Sequence, residues 1–116
     1  MKTEVLFVEG LNRDITFYIG RQQSENHKVI DMGADDDLWF HASGLPSCHV
    51  IAVIPSDIDS KDMKYIITAG AVLCKQYTNK IKSLPNVEFV YTQVKNLEKL
   101  SVPGSVNISE GKFIKI

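Results

Sequence analysis

The sequence predicts an α+β domain, a mostly antiparallel sheet with one short and one long helix. Three observations carry this reading. Residues 61–82 place Met63, Ile66, Ile67, Gly70, Leu73, Cys74, Tyr77 and Ile81 at i, i+3, i+4, i+7 spacing, one broad apolar stripe of a long helix. The runs before and after it are β-rich and bounded by turn residues. The order is strands, short helix, strands, long helix, strands, without the βαβ rhythm of a parallel sheet.

Taken in order, the chain opens with "EVLFVE" and "ITFYIG", joined by "GLNRD". Gly10 and Asn12-Arg13-Asp14 supply turn chemistry, so the pair reads as a hairpin. In "QQSENHKVIDMG", Ser24 as N-cap and Gly33 as stop bound a short helix. "DLWFHA" and "CHVIAVIP", split by "SGLPS", make a second hairpin. Ser60 or Asp57 is the expected cap of the long helix, and Pro85 forbids its continuation past Leu84. "VEFVYTQV" then alternates as a strand, and two short strands follow, "SVNIS" and "KFIKI", with Gly104 and Gly111 as punctuation. No repeat, low-complexity run or linker interrupts residues 1–116, which read as a single domain.

Composition narrows the function classes. At 44% hydrophobic and 23% charged residues the chain has ordinary globular proportions. No apolar run reaches the roughly 18 residues of a membrane helix, so no membrane partner is expected. "MKTEVLFVEG" carries Glu4 and Glu9 around a short apolar patch, unlike a secretory signal. Cys48 and Cys74 are therefore expected as reduced thiols of a cytoplasmic or nuclear protein. A net charge of −1 and a pI near 6.3 are not the global signature of a nucleic-acid binder, so any phosphate-binding role must rest on a local patch. Walker, dinucleotide-binding, HExxH and GxSxG motifs are absent, and no cofactor is expected.

The densest chemistry lies in "DDDLWFHASGLPSCHV", residues 35–50. Strand alternation sends Trp39 and His41 to one face and Leu38, Phe40 and Ala42 to the other. Pairing across the turn with His41 opposite His49 places Trp39 opposite Ile51 and Phe40 opposite Val50. Two imidazoles so placed can hold a phosphate oxygen, share a metal or hydrogen-bond the turn. A metal needs three or four ligands, and Cys48, the nearest third, points away from His49. The same alternation separates Cys48 from its neighbouring base, against a nucleophile. Spacing alone favours a packed hairpin, with Trp39 on Ile51. Asp35-Asp36-Asp37 reads as a solvated turn with one Asp bonding the backbone, rather than a cation site.

Two further features suit phosphate. On a helix over residues 61–82, Lys61, Lys64, Lys75 and Lys82 fall within about 60° of one another, a row off the apolar stripe. Gly20-Arg21 precedes a helix start, where free N–H groups and a partial positive charge attract anions. Exposed lysines also occur on any solvated helix face.

"IGRQQSEN", then "DDLWFHASGLPSCHV", the long helix and "VEFVYTQVKNL" together resemble the NFACT-R domain, the RNA-binding module of ribosome-quality-control proteins. The resemblance runs from about Tyr18 to the end and rests on Gly20, Arg21, Asn26, Asp37, Trp39, Phe40, His41, Pro46, His49, Val50, Tyr91, Thr92 and Lys95. The chain resembles the standalone version of that domain. The resemblance implies a non-enzymatic module for structured RNA, tRNA or rRNA, with ribosome or quality-control proteins as further partners. His41, His49 and Arg21 would contact phosphate or sugar, Trp39 would stack a base or anchor the fold, and Asn26, Lys95 and the lysine row would complete the surface. Ser43 and Gly44 stand where the family carries Lys-Asp, Ser47-Cys48 where it carries Gly-Ser, and "NLEKLSVPG" where it carries a basic run. Each change removes positive charge or alters the turn. Two other classes fit the residues: a protein-interaction scaffold, favoured by the acidic run, and a small metal-dependent hydrolase built on His41, Cys48 and His49.

Overall fold

The computed structural model describes residues 1–102 and 104–116. Lys2–Val8 (β1) pairs with Arg13–Gly20 (β2) as the predicted hairpin, and Asn12 takes the left-handed turn position at φ 55°. Gln23–Asp31 forms the short helix (α1), then Leu38–Ala42 (β3) and His49–Ala52 (β4) form the second hairpin. Met63–Gln76 is the long helix (α2), followed by Glu88–Gln93 (β5), Leu97–Lys99 (β6), Val106–Ile108 (β7) and Lys112–Lys115 (β8). Six strands make one antiparallel sheet in the order β1-β2-β4-β3-β5-β8, while β6 and β7 pair as a separate ribbon. The fold is therefore α+β, as the alternating runs predict.

The strand order explains why β4 is buried along its whole length. It lies between β2 and β3, and its sheet faces are covered by different helices. On one face α2 lays Ile66, Leu73 and Cys74 over Phe17, Phe40, Val50 and Phe89. On the other, α1 lays Val29 and Ile30 over Trp39, Ile51 and Val90. Hydrophobic burial on both faces accounts for the unbroken apolar run "VIAV". Among the described residues, no helix is long and apolar enough to cross a membrane.

Several boundaries differ from the sequence reading. Ser24 is not the cap of α1, whose N-cap is the extended Gln22 with no side-chain bond; Glu25 in the first turn instead accepts the Arg21 N–H at 3.0 Å. Neither Ser60 nor Asp57 caps α2: Ser60 opens a 3₁₀ turn over Ser60–Asp62, and Asp57 pairs with Arg13 at 3.0 Å. The long helix stops at Gln76 rather than near residue 82. The Thr78 hydroxyl donates to the Cys74 carbonyl at 2.9 Å, and the Ile81 and Lys82 N–H groups turn back onto the Thr78 carbonyl. Ile81 is buried through these turns, so its apolar spacing imitated one more helical turn. Strand β6, "LEK", lacks alternation and had no sequence signal.

Candidate nucleic-acid interface

The register of the second hairpin is the one alternation predicts, with Trp39 opposite Ile51 and Phe40 opposite Val50. Continued by one residue it brings His41 beside His49, their ring centroids 4.7 Å apart and nearly perpendicular. Trp39 stacks on His41, with centroids 5.7 Å apart and planes 7° apart. Its indole N–H donates to His49 Nδ1 at 3.0 Å. An indole nitrogen only donates, so His49 Nδ1 must accept and the neutral ring carries its proton on Nε2. Burial, aided by nearby His41 and His27, pushes the His49 pKa down to about 3. His41 is also lowered by burial, opposed by the bond between its Nδ1–H and the Ala42 carbonyl at 2.7 Å. Both imidazoles are neutral at pH 7. Of the two roles left open for Trp39, burial selects the anchor: it is 1% exposed and has no free face for a base.

These two histidines line a cleft of about 630 Å³ together with Arg21, Asn26, Thr78 and Lys80. Each is placed by local chemistry. Gly20 ends β2 opposite His49 and hands the chain to Arg21 at the start of α1. A Cβ at Gly20 would lie 2.9 Å from the Asn26 side chain, so only glycine allows this approach. The Asn26 amide donates to the Gly20 and Gln22 carbonyls at 2.9 and 3.2 Å, which closes the β2–α1 turn. Asn26 is thus a positioning residue whose side chain is largely buried. Thr78 accepts the Cys48 N–H at 3.1 Å, which pins the turn after α2, with Asn79 and Lys80, against the start of β4.

The lysines do not form the predicted row. Lys61 lies in the 3₁₀ turn, Lys64 and Lys75 on α2, and Lys82 beyond its end, because the helix is shorter than its apolar spacing suggests. Lys75 donates to the terminal Ile116 carbonyl at 2.8 Å, and Lys64 sits 5.2 Å from the Tyr65 ring centroid. Lys64 and Lys95 line a different cleft, beside α2, and Lys95 faces Asp36 at 3.4 Å. Lys80, which sequence reasoning missed, is the lysine that joins Arg21. Its only signal was its place in "TNK", read as helix and folded as a turn.

The acidic run is a turn: Asp37 is buried and accepts the Ala34 and Ile54 N–H groups, each at 2.9 Å. Among the described residues, no three His, Cys, Asp or Glu side chains gather to hold a metal. Cys48 faces α2, its sulfur 3.6 Å from that of Cys74, with both thiols free. The Cys74 thiol beside it lowers the Cys48 pKa, while the contact with Cys48 and burial raise that of Cys74. A hydrolase constellation of His41, Cys48 and His49 is therefore divided between the two faces of the sheet.

Coiled-coil domain-containing protein 25 of Danio rerio is 30% identical over 104 residues, 87% of this chain and 50% of that protein. The Rqc2 homolog RqcH of Streptococcus pneumoniae is 27% identical over 101 residues, 85% of this chain and 18% of that one. The chain thus spans about half the length of the first of these relatives. The C-terminal part of the fibronectin/fibrinogen-binding protein from Streptococcus suis has the same fold, with a TM-score of 0.80 at 23% identity, over 100% of this chain and 45% of that one. The model of the NFACT protein RNA binding domain matches residues 5–114, and the chain belongs to that family.

Proposed function

We propose that this chain is a non-enzymatic RNA-binding module that works in the cytoplasm in translation or ribosome quality control, with structured RNA, tRNA or rRNA, as its ligand. One observation carries the reading. The His41–His49 cleft is lined by Arg21, Lys80 and neutral hydrogen-bonding groups, with no carboxylate among the described residues that line it, in a chain of 14 acidic residues and net charge −1. Arg21 and Lys80 are exposed and take part in none of the ion pairs among the described residues. Two unpaired cations beside neutral hydrogen-bonding groups suit a phosphodiester, while His49, 1% exposed like Trp39, holds the indole from beneath the cleft rather than reaching the ligand. The family match and the RqcH relative support RNA as the polyanion.

The test is a titration with labelled tRNA and a single-stranded RNA at low and moderate salt. Phosphate contacts make affinity fall linearly in log-log form with salt, by about 0.7–0.9 per phosphate neutralised. Arg21→Gln and Lys80→Gln should each weaken binding and reduce the salt slope by about 1. Absence of binding at about 50 mM salt, where such contacts are strongest, would remove the proposal.

A further inference from the structure

The cleft continues along the sheet into a second, different surface. The antiparallel registers place His41 opposite Val90 and Val90 opposite Phe113. His49, His41, Val90 and Phe113 therefore form one cross-strand row on the α1 face. Three strand spacings along this row amount to about 14 Å. At its far end lies an apolar groove of about 640 Å³ lined by His41, Leu45, Pro46, Val90, Ile108 and Phe113, with no Asp, Glu, Lys or Arg among the described residues of its walls. His41 and Pro46 belong to both the groove and the cleft. Phe113 is 59% exposed on the edge strand, an aromatic ring with an open face. Gly44, at φ 72° with open space around its Cβ position, and Gly111 leave the groove rim free of side chains.

We propose that this groove is a nucleobase-binding site and that Phe113 is its stacking platform. The proposal rests on the phosphate reading of the adjoining cleft and specifies its ligand: a single-stranded segment whose phosphate meets Arg21 and Lys80 and whose unpaired base enters the groove. Charge complementarity argues for this occupant. An uncharged, aromatic-walled groove continuous with a cation-bearing cleft suits a single strand of several nucleotides, with anionic phosphates at one end and a neutral planar base at the other. The exposed ring stands on the edge strand β8, four strands from Arg21's anchor in β2, whereas the chain's one tryptophan is buried under α1.

The experiment compares short RNA oligomers with abasic ribose-phosphate oligomers of the same length, on the wild-type chain, Phe113→Ala and Arg21→Gln. Phe113→Ala should weaken binding of base-bearing RNA by about 5- to 150-fold, the range of a lost aromatic stack. It should leave abasic binding and the salt slope unchanged. If Phe113→Ala has no effect while Arg21→Gln weakens both oligomers, the base site is refuted and the phosphate reading stands. Equal weakening of both oligomers by Phe113→Ala also refutes it. Sedimentation that shows self-association of the wild type, abolished by Phe113→Ala, would make the groove an interface between copies instead. If neither oligomer binds, both readings fall.

Discussion

Trp39 and His49 show how a single hydrogen bond decides what a residue does. Period-two alternation places Trp39, His41 and His49 together, and that much follows from "DLWFHA" and "CHV" alone. Alternation cannot say which ring is covered, because burial depends on α1 crossing that face. Once Val29 and Ile30 lie over it, the indole is interior and its N–H needs an acceptor, which His49 Nδ1 provides. Trp39→Phe should cost about 2–4 kcal/mol, combining lost volume with an acceptor left unpaired in the interior. Urea denaturation measures this, and a change under about 0.5 kcal/mol, the size of a neutral surface substitution, would contradict the bond's role. Lys80 illustrates the reverse case. Its approach to Arg21 depends on the turn at Thr78, a tertiary contact to Cys48 that no spacing announces.

Among the elements, α2 packs so closely that the helix and sheet share one contact surface. A Cβ at Gly70 would come within 2.4 Å of the Phe40 ring. Alanine is the better helix former by about 1 kcal/mol, so propensity alone favours Gly70→Ala. Close packing reverses that sign: the variant should be destabilised by about 1–3 kcal/mol, read as a lower thermal midpoint. A raised midpoint would show that the helix can move outward at no cost. The apolar stripe of this helix was legible in the sequence, since Ile66, Leu73 and Cys74 recur at helical spacing. Its end was not, because Ile81 keeps the period while lying in a turn. Strand β6 was invisible for a similar reason: "LEK" pairs with β7 but covers no large core and so never alternates.

For the molecule as a whole, the buried imidazoles couple stability to pH. His49 has an ordinary pKa near 6.5 when unfolded and one pushed down to about 3 in the fold. Between these values the unfolded chain binds the proton and the native chain does not, so stability falls as pH falls below about 6.5. From pH 7 to pH 5 the loss attributable to His49 is about 2 kcal/mol, at 1.36 kcal/mol per unit over the titrating interval. His41, lowered in the same direction, adds to it. Urea midpoints at pH 7 and 5 test this. His49→Asn, which keeps an acceptor near the Nδ1 position but does not titrate there, should flatten the dependence. Equal pH sensitivity in wild type and variant would reject the assignment.

The amino-acid sequence by itself determined the α+β class, the hairpin register and the gathering of Trp39, His41 and His49 on one face. These follow from local periodicities, two for strands and 3.6 for helices, that hold wherever the chain is placed. Only the tertiary structure decided that β4 inserts between β2 and β3, that Trp39 is interior, and that the lysines disperse while Lys80 joins Arg21. Those outcomes depend on which surfaces bury each other and on where a helix is stopped by a distant partner, and such long-range terms leave no periodic trace in the chain.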